Sequence, residues 1–185
     1  MLSDDDDELM SRLQSGEGRA LDALMNRWQT PLRHYLYRSV QNEHDALDLA
    51  QETFVRVYRN RDKFRAGAKF STWLFSIALN LCRDRVRRGR IRLTVPLEQA
   101  PETEMGSSGT PPDADLVRSE TAEKVRSAVH ALPEQLREAV LLCEYENLSQ
   151  ADAAVVAGCS AKAVETRLYR ARALLRQALS AYFLK

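Results

Sequence analysis

The sequence predicts an all-α protein of two small helical domains joined by a flexible, acidic, proline-rich linker. Two observations carry this prediction. Apolar residues recur at three- and four-residue spacing on both sides of the chain, with no convincing strand alternation and no repeat of fixed period. Between them, Pro96 to Pro112 holds four prolines, two glycines and the pair Ser107-Ser108, with almost no periodic apolar residue. Such a stretch cannot bury enough surface to offset its ordering entropy. A chain of 185 residues suffices for two such modules. The expected boundaries are an acidic tail over 1–8, a first domain over 9–92, a linker over 93–117 and a second domain over 118–185.

In the first domain, Leu21, Leu24, Met25, Trp28, Leu32, Tyr35 and Leu36 form one helical stripe. Leu47, Ala50, Phe54, Val55 and Tyr58 form a second, and Phe70, Trp73, Leu74, Ile77 and Leu81 a third. Ser71 or Thr72 is expected to cap the third helix, with Gly89 just past its basic end. After the linker, Leu116, Val125, Val129 and Leu132 give another stripe. Pro133 then breaks the chain and opens a helix over Glu134 to Cys143. Ser149 is the expected N-cap of a short helix that Gly158 ends, and Ser160 caps a last helix running to about Leu179.

Charge is segregated along the chain. Residues 1–8 carry five acids and no base, and 9–92 carry 17 bases against 8 acids. Residues 93–117 carry five acids and no base, and 118–185 carry 10 bases against 8 acids. Two basic blocks separated by an acidic one fit two modules that meet a polyanion, joined by a segment that does not. Several classes are excluded or disfavoured. No apolar run approaches the roughly 20 residues of a membrane span, and the acidic N-terminus is unlike a signal peptide, so a cytoplasmic location is expected. Cys82, Cys143 and Cys159 are odd in number and widely spaced, which argues against a disulfide framework; they read as buried small hydrophobes. With His34, His44 and His130 they form no metal-ligand spacing. No nucleophile–base pair and no Gly-rich phosphate loop stands out, so no catalytic residue, metal or cofactor is expected.

Three segments carry function. Leu148 to Arg172 reads as a helix-turn-helix: Ala154 is small at the helix crossing, Gly158 supplies the turn, and Val164 and Leu168 point inward. The second helix offers Ser160, Lys162, Glu165, Thr166, Arg167, Tyr169 and Arg170 to a major groove. Phe70 to Arg92 places aromatics beside six arginines within residues 83–92, a combination suited to unpaired bases and phosphates. Asp45 to Tyr58 sets Asp48 and Glu52 at i, i+4 with Gln51 alongside and Leu49, Phe54 and Val55 adjacent. With no third ligand nearby, this face reads as a dock for a basic partner helix.

In combination, DALDLAQETFVRVY, FSTWLFSIALNLCRDRVRR, LPEQLREAVLLCEYENLS and RLYRARALLR resemble regions 2 and 4 of bacterial RNA polymerase sigma factors of the extracytoplasmic-function (ECF) group. The resemblance covers nearly the whole chain. It implies that Asp48, Gln51, Glu52, Phe54 and Val55 dock on the clamp helices of core RNA polymerase. It implies that Lys63, Phe64, Phe70 and Ser71, in and beside the loop that receives a flipped base, work with Trp73, Asn80, Arg83, Asp84, Arg87 and Arg88 at the −10 element of promoter DNA. It implies that the Ser160–Arg172 helix reads the −35 element. Further implied partners are the polymerase flap and an anti-sigma factor, which would clamp the tethered domains in a closed, inactive arrangement. The chain departs from the family pattern at Lys162-Ala163, where Gly-Thr is usual, and at Glu165, where a basic residue is frequent. The QADAAVVAG stretch also lacks the usual Glu-Ile-Ala. The competing reading is a conventional helix-turn-helix regulator. The 25 residues of 93–117 span up to about 80 Å extended, enough to bridge two turns of duplex, about 70 Å.

Overall fold

The computed structural model describes residues 5–93 and 113–183, and among these every regular element is helical. The N-terminal half comprises α1 (Asp6–Gln14), α2 (Gly18–Val40), α3 (Glu43–Arg59), a single 3-10 turn (Arg61–Lys63) and α4 (Phe70–Leu93). The C-terminal half comprises α5 (Asp113–His130), α6 (Glu134–Val140), a π-helical continuation (Leu141–Tyr145), α7 (Gln150–Ala157) and α8 (Ala161–Phe183).

The acidic N-terminus is not wholly a tail. Asp5 caps α1, its carboxylate accepting from the Asp6 amide at 2.7 Å, and Asp6, Asp7 and Glu8 complement the positive end of the helix dipole. Asp6 also pairs with Arg27 and accepts from Trp28 Nε1 at 3.1 Å, tying α1 to α2. Leu9, Met10 and Leu13 are thereby buried. Gln14 Nε2 donates to the carbonyls of Arg61 and Phe64 at 2.8 and 2.9 Å, anchoring the loop before α4. Asn42 caps α3 through the Asp45 amide at 2.9 Å.

Three boundaries differ from the sequence expectation. The third helix of the first domain begins at Phe70, so Ser71 and Thr72 lie inside its first turn rather than capping it, and Gly89 lies within the helix, which runs to Leu93. The linker expectation of 93–117 overlaps α5 at its C-terminal end, because α5 starts at Asp113; residues 94–112 lie outside the described residues. The helix after Pro133 keeps α geometry only to Val140, then widens into the π turn.

The core of the first half joins Leu24, Leu32, Tyr35 and Leu36 of α2 to Phe54 and Val57 of α3 and to Leu74, Phe75 and Ala78 of α4. The same cluster continues into the second half, through Val129 and Leu132 to Val140, Leu141 and Leu142, to Ala153 and Val156, and to Val164, Leu168 and Ala171. The two halves touch: α4 packs along α7, and α2 meets the π turn and α5.

Candidate nucleic-acid interface and docking face

On α3 the candidate docking residues separate by helical phase. Asp48 and Gln51 are exposed, Val55 retains 40% of its surface, and Glu52 is half-buried. Asp48 lies 3.4 Å from His44 Nδ1, and Glu52 accepts from Arg56 Nε at 2.9 Å, so both carboxylates stay on the solvent side. Phe54 does not share this face. It is buried among Ala50, Val57 and the other core residues, because its position puts it on the side packed against α2 and α4. Leu47 and Tyr58, each 47% exposed, lie on this face instead and join the candidates. The available signal was their spacing: 47, 51, 55 and 58 fall on one helical face. Asp45 pairs with Arg85 and links α3 to α4 below this surface.

The −10 candidates also divide. Lys63 is exposed and donates to Asn60 Oδ1 at 2.8 Å. Phe64 and Phe70 offer no face for a base. They are buried in a ring cluster with centroid separations of 6.2 Å between them, 6.0 Å from Phe70 to Trp28 and 5.3 Å from Phe64 to Trp73. Burial of such large apolar surface outweighs any value of the rings on the outside. Trp73 and Ser71 are half-buried at the rim of this cluster, and Asn80, Arg87 and Arg88 are exposed along α4. Arg87 holds Asp84 at 2.8 Å.

Arg83 is turned towards the other half of the protein. Its Nε and one terminal nitrogen donate to the two carboxylate oxygens of Glu138 at 2.9 and 2.8 Å, and that nitrogen also reaches the Ala157 carbonyl at 3.3 Å. The paired carboxylate holds the guanidinium pKa above its ordinary value. Two further contacts cross the same seam. Lys69 Nζ lies 2.7 Å from Asp152, which lowers that carboxyl's pKa, and Arg38 lies 3.4 Å from Glu146 with its guanidinium 4.5 Å over the Tyr145 ring. Glu146 is pushed up to about 7 by burial, against the pull of Arg38. None of these pairs was visible in the sequence, since their partners are far apart in the chain.

The helix-turn-helix forms around local chemistry. Ser149 Oγ accepts from the Asp152 amide at 3.1 Å and donates to its carboxylate at 2.6 Å, Gly158 takes the left-handed φ of +68° that the turn requires, and Ser160 Oγ accepts from the Ala163 amide at 3.1 Å. Val164 and Leu168 are buried, as their spacing predicts. Lys162, Glu165, Thr166, Tyr169 and Arg170 face solvent, with Tyr169 77% exposed. Arg167 is half-buried against Cys159 Sγ at 3.4 Å. Glu165 is paired with Lys162 at 3.0 Å within its own helix.

Burial pushes the Cys82 thiol up to about 12 and raises that of Cys143, so neither is a ready nucleophile. Cys143 and Cys159 are half-buried rather than buried. Among the described residues no three His, Cys, Asp or Glu side chains gather as metal ligands, and no helix is long and apolar enough to cross a membrane.

Residues 24–91 match the family model for Sigma-70 region 2 and residues 122–175 that for Sigma-70, region 4. The chain is 31% identical to the RNA polymerase sigma-H factor of Pseudomonas aeruginosa over 97% of its length and 96% of the relative's. It is 32% identical to the ECF RNA polymerase sigma-E factor of Haemophilus influenzae over 92% and 93%. Among solved structures, CnrH in complex with the cytosolic domain of CnrY superposes with a TM-score of 0.73 at 32% identity, covering 97% of this chain and 99% of that one. The sigma factor RpoE of Bartonella quintana, solved with the anti-sigma factor NepR, shares the fold with a TM-score of 0.65 at 24% identity, over 87% and 97% of the two chains.

Proposed function

The chain belongs to the ECF group of RNA polymerase sigma factors, and from that premise we propose how its surfaces divide the work of promoter-specific transcription initiation. It joins core RNA polymerase and directs it to promoters through −10 and −35 elements. The α3 face of Asp48, Gln51, Glu52 and Val55, extended by Leu47 and Tyr58, is the dock for the polymerase clamp helices: exposed apolar side chains supply contact area and the carboxylates complement a basic coiled coil. Lys63, Ser71, Trp73, Asn80, Arg83, Arg87 and Arg88 form the −10 surface, with Phe64 and Phe70 supporting it from beneath. The α8 residues Lys162, Glu165, Thr166, Tyr169 and Arg170, with Arg167 behind them, read the −35 element. An anti-sigma factor is the regulatory partner on this reading, and the cytoplasm the working compartment.

The observation that carries the assignment is the pairing of two surfaces in one chain. A conventional helix-turn-helix regulator needs α7 and α8 but has no use for an acidic, apolar-studded face on α3. Run-off transcription by core polymerase with this chain, over a pooled promoter library, is expected to enrich one −10/−35 combination. The double variant Asp48→Arg/Glu52→Arg is expected to lose co-purification with core polymerase while keeping its helical circular-dichroism spectrum. Unchanged co-purification would refute the docking assignment.

A further inference from the structure

A cleft opens where the end of α2 meets α5 and the π turn, and none of the surfaces assigned above uses it. It encloses about 530 Å³, within the range of pockets that hold small organic molecules. Its wall is apolar: Val129 is buried, Val125 and the Tyr145 ring are half-buried, and Ala122 is exposed. Two arginines also line it, Arg38 from α2 and Arg126 from α5, and no carboxylate stands among its described lining residues. Neither guanidinium is saturated. Arg38 lies with its face over the Tyr145 ring at 4.5 Å, which leaves its N–H donors in plane, and Glu146 takes one of the five at 3.4 Å, long for a hydrogen bond. Burial pushes the Glu146 carboxyl up to about 7 against the pull of Arg38, so at neutral pH it returns only part of a charge. Arg126 is paired at 2.7 Å with Glu123, three residues earlier on α5; both side chains are exposed, and such a pair exchanges its partner at little cost. Gln41, which ends α2, takes a left-handed φ of +55° where glycine is usual, and so sets an amide side chain at the cleft.

These groups select an occupant. A cation meets two like charges. A neutral hydrocarbon covers the wall but takes the guanidiniums out of water without giving them an acceptor. Inorganic phosphate satisfies the arginines and leaves the apolar wall unused. A carboxylate on an apolar body meets both demands, because a guanidinium fork matches a carboxylate in plane. We propose that this cleft is a binding site for a small amphipathic organic carboxylate, its anionic end held between Arg38 and Arg126 and its hydrocarbon lying on Val125, Val129 and Tyr145. The site shares no residue with the docking, −10 or −35 surfaces, so it stands independently of those assignments. Since α2 and α5 both contribute to it, a bound ligand raises the melting temperature of the folded chain, as any ligand of the native state does.

Calorimetric titration of the full chain with octanoate should saturate at one site with a Kd of about 1 mM or lower, the reach of so small a ligand. Octan-1-ol, with the same chain and no charge, should bind at least about tenfold more weakly, since it forfeits the charge-assisted hydrogen bonds. Octyltrimethylammonium should not bind. Naphthalene-1-carboxylate, titrated beside octanoate, tells an aromatic body from an aliphatic one by which of the two binds more tightly. In methyl NMR spectra the resonances of Ala122, Val125 and Val129 should move with the titration. Arg126→Gln, at an exposed position, should weaken octanoate at least about tenfold and leave octan-1-ol unchanged, a split that damage to the fold does not produce. Ala122→Trp, also exposed, should fill the opening and weaken both probes, with circular dichroism checking that each variant keeps its helices. Four results would overturn the proposal: no saturation by either carboxylate, equal affinity for octanoate and octan-1-ol, wild-type octanoate affinity in Arg126→Gln, or saturation that leaves those three methyl resonances in place.

Discussion

Truncation of Leu47 and Tyr58 to alanine separates the proposed polymerase dock from the fold, because each side chain leaves 47% of its surface in solvent. Fully burying a leucine contributes about 1.5–3 kcal/mol, so the half still exposed on Leu47 has about 1 kcal/mol to give on docking. An aromatic side chain buries about 150–250 Å²; the exposed half of Tyr58, at about 25 cal/mol per Å², has about 2 kcal/mol. Together the two truncations should weaken binding to core polymerase by about 3 kcal/mol, or about a hundredfold in Kd. The folded protein should lose about 1 kcal/mol at most, chiefly the stacking of Arg61 at 4.7 Å over the Tyr58 ring. Competition of labelled wild type from core polymerase, beside thermal melts of both proteins, measures both quantities. Phe54→Ala provides the contrast: at 5% exposure it should cost about 3–5 kcal/mol of stability before docking is reached. Wild-type affinity in Leu47→Ala/Tyr58→Ala, with Phe54→Ala folded but unable to dock, would reverse the assignment of the α3 faces.

Other outcomes follow from single side chains. The Glu146 carboxyl titrates near 7 in the folded protein, above its ordinary 4.5, so the folded state holds the extra proton between those values and the stability it confers is lost as pH rises through 7. Melting temperature should therefore fall from pH 6 to pH 8 more steeply in wild type than in Glu146→Gln, and parallel curves would refute this. Gly158→Ala meets no atom within 4 Å but must hold φ at +68°, which should cost about 1–2 kcal/mol and lower Tm by a few degrees; an unchanged Tm would count against the strained turn. The Lys162–Glu165 pair is exposed and so weak, leaving Glu165 free to accept from a cytosine amine in the groove. Glu165→Arg should shift −35 selection towards guanine at one or two positions of a randomised library, whereas uniform tightening across all sequences would reduce the residue to a charge. Arg170→Ala should weaken −35 binding with a shallower salt dependence, checked by titration at several ionic strengths.

What the sequence determined by itself was local. Three- and four-residue apolar spacing specified the helices, and Ser149, Gly158 and Ser160 ended and began them, because capping and left-handed turns need only neighbours along the chain. The inward turn of Val164 and Leu168 was legible for the same reason. Tertiary structure decided which apolar residues stay outside. Phe54 and Val55 are adjacent in sequence and equally apolar, yet one is buried and the other is 40% exposed, since only the positions of α2 and α4 define the covered side of α3. Phe64 and Phe70 became core because Trp28, from a distant helix, completes their cluster. The acidic residues 5–8 read as a tail until Arg27 and Trp28 supplied partners for Asp6. Arg83 and Glu138 are 55 positions apart, and no local pattern couples them. Charge pairs of that kind form only where packing brings two helices together, so the closed seam belongs to the tertiary structure alone.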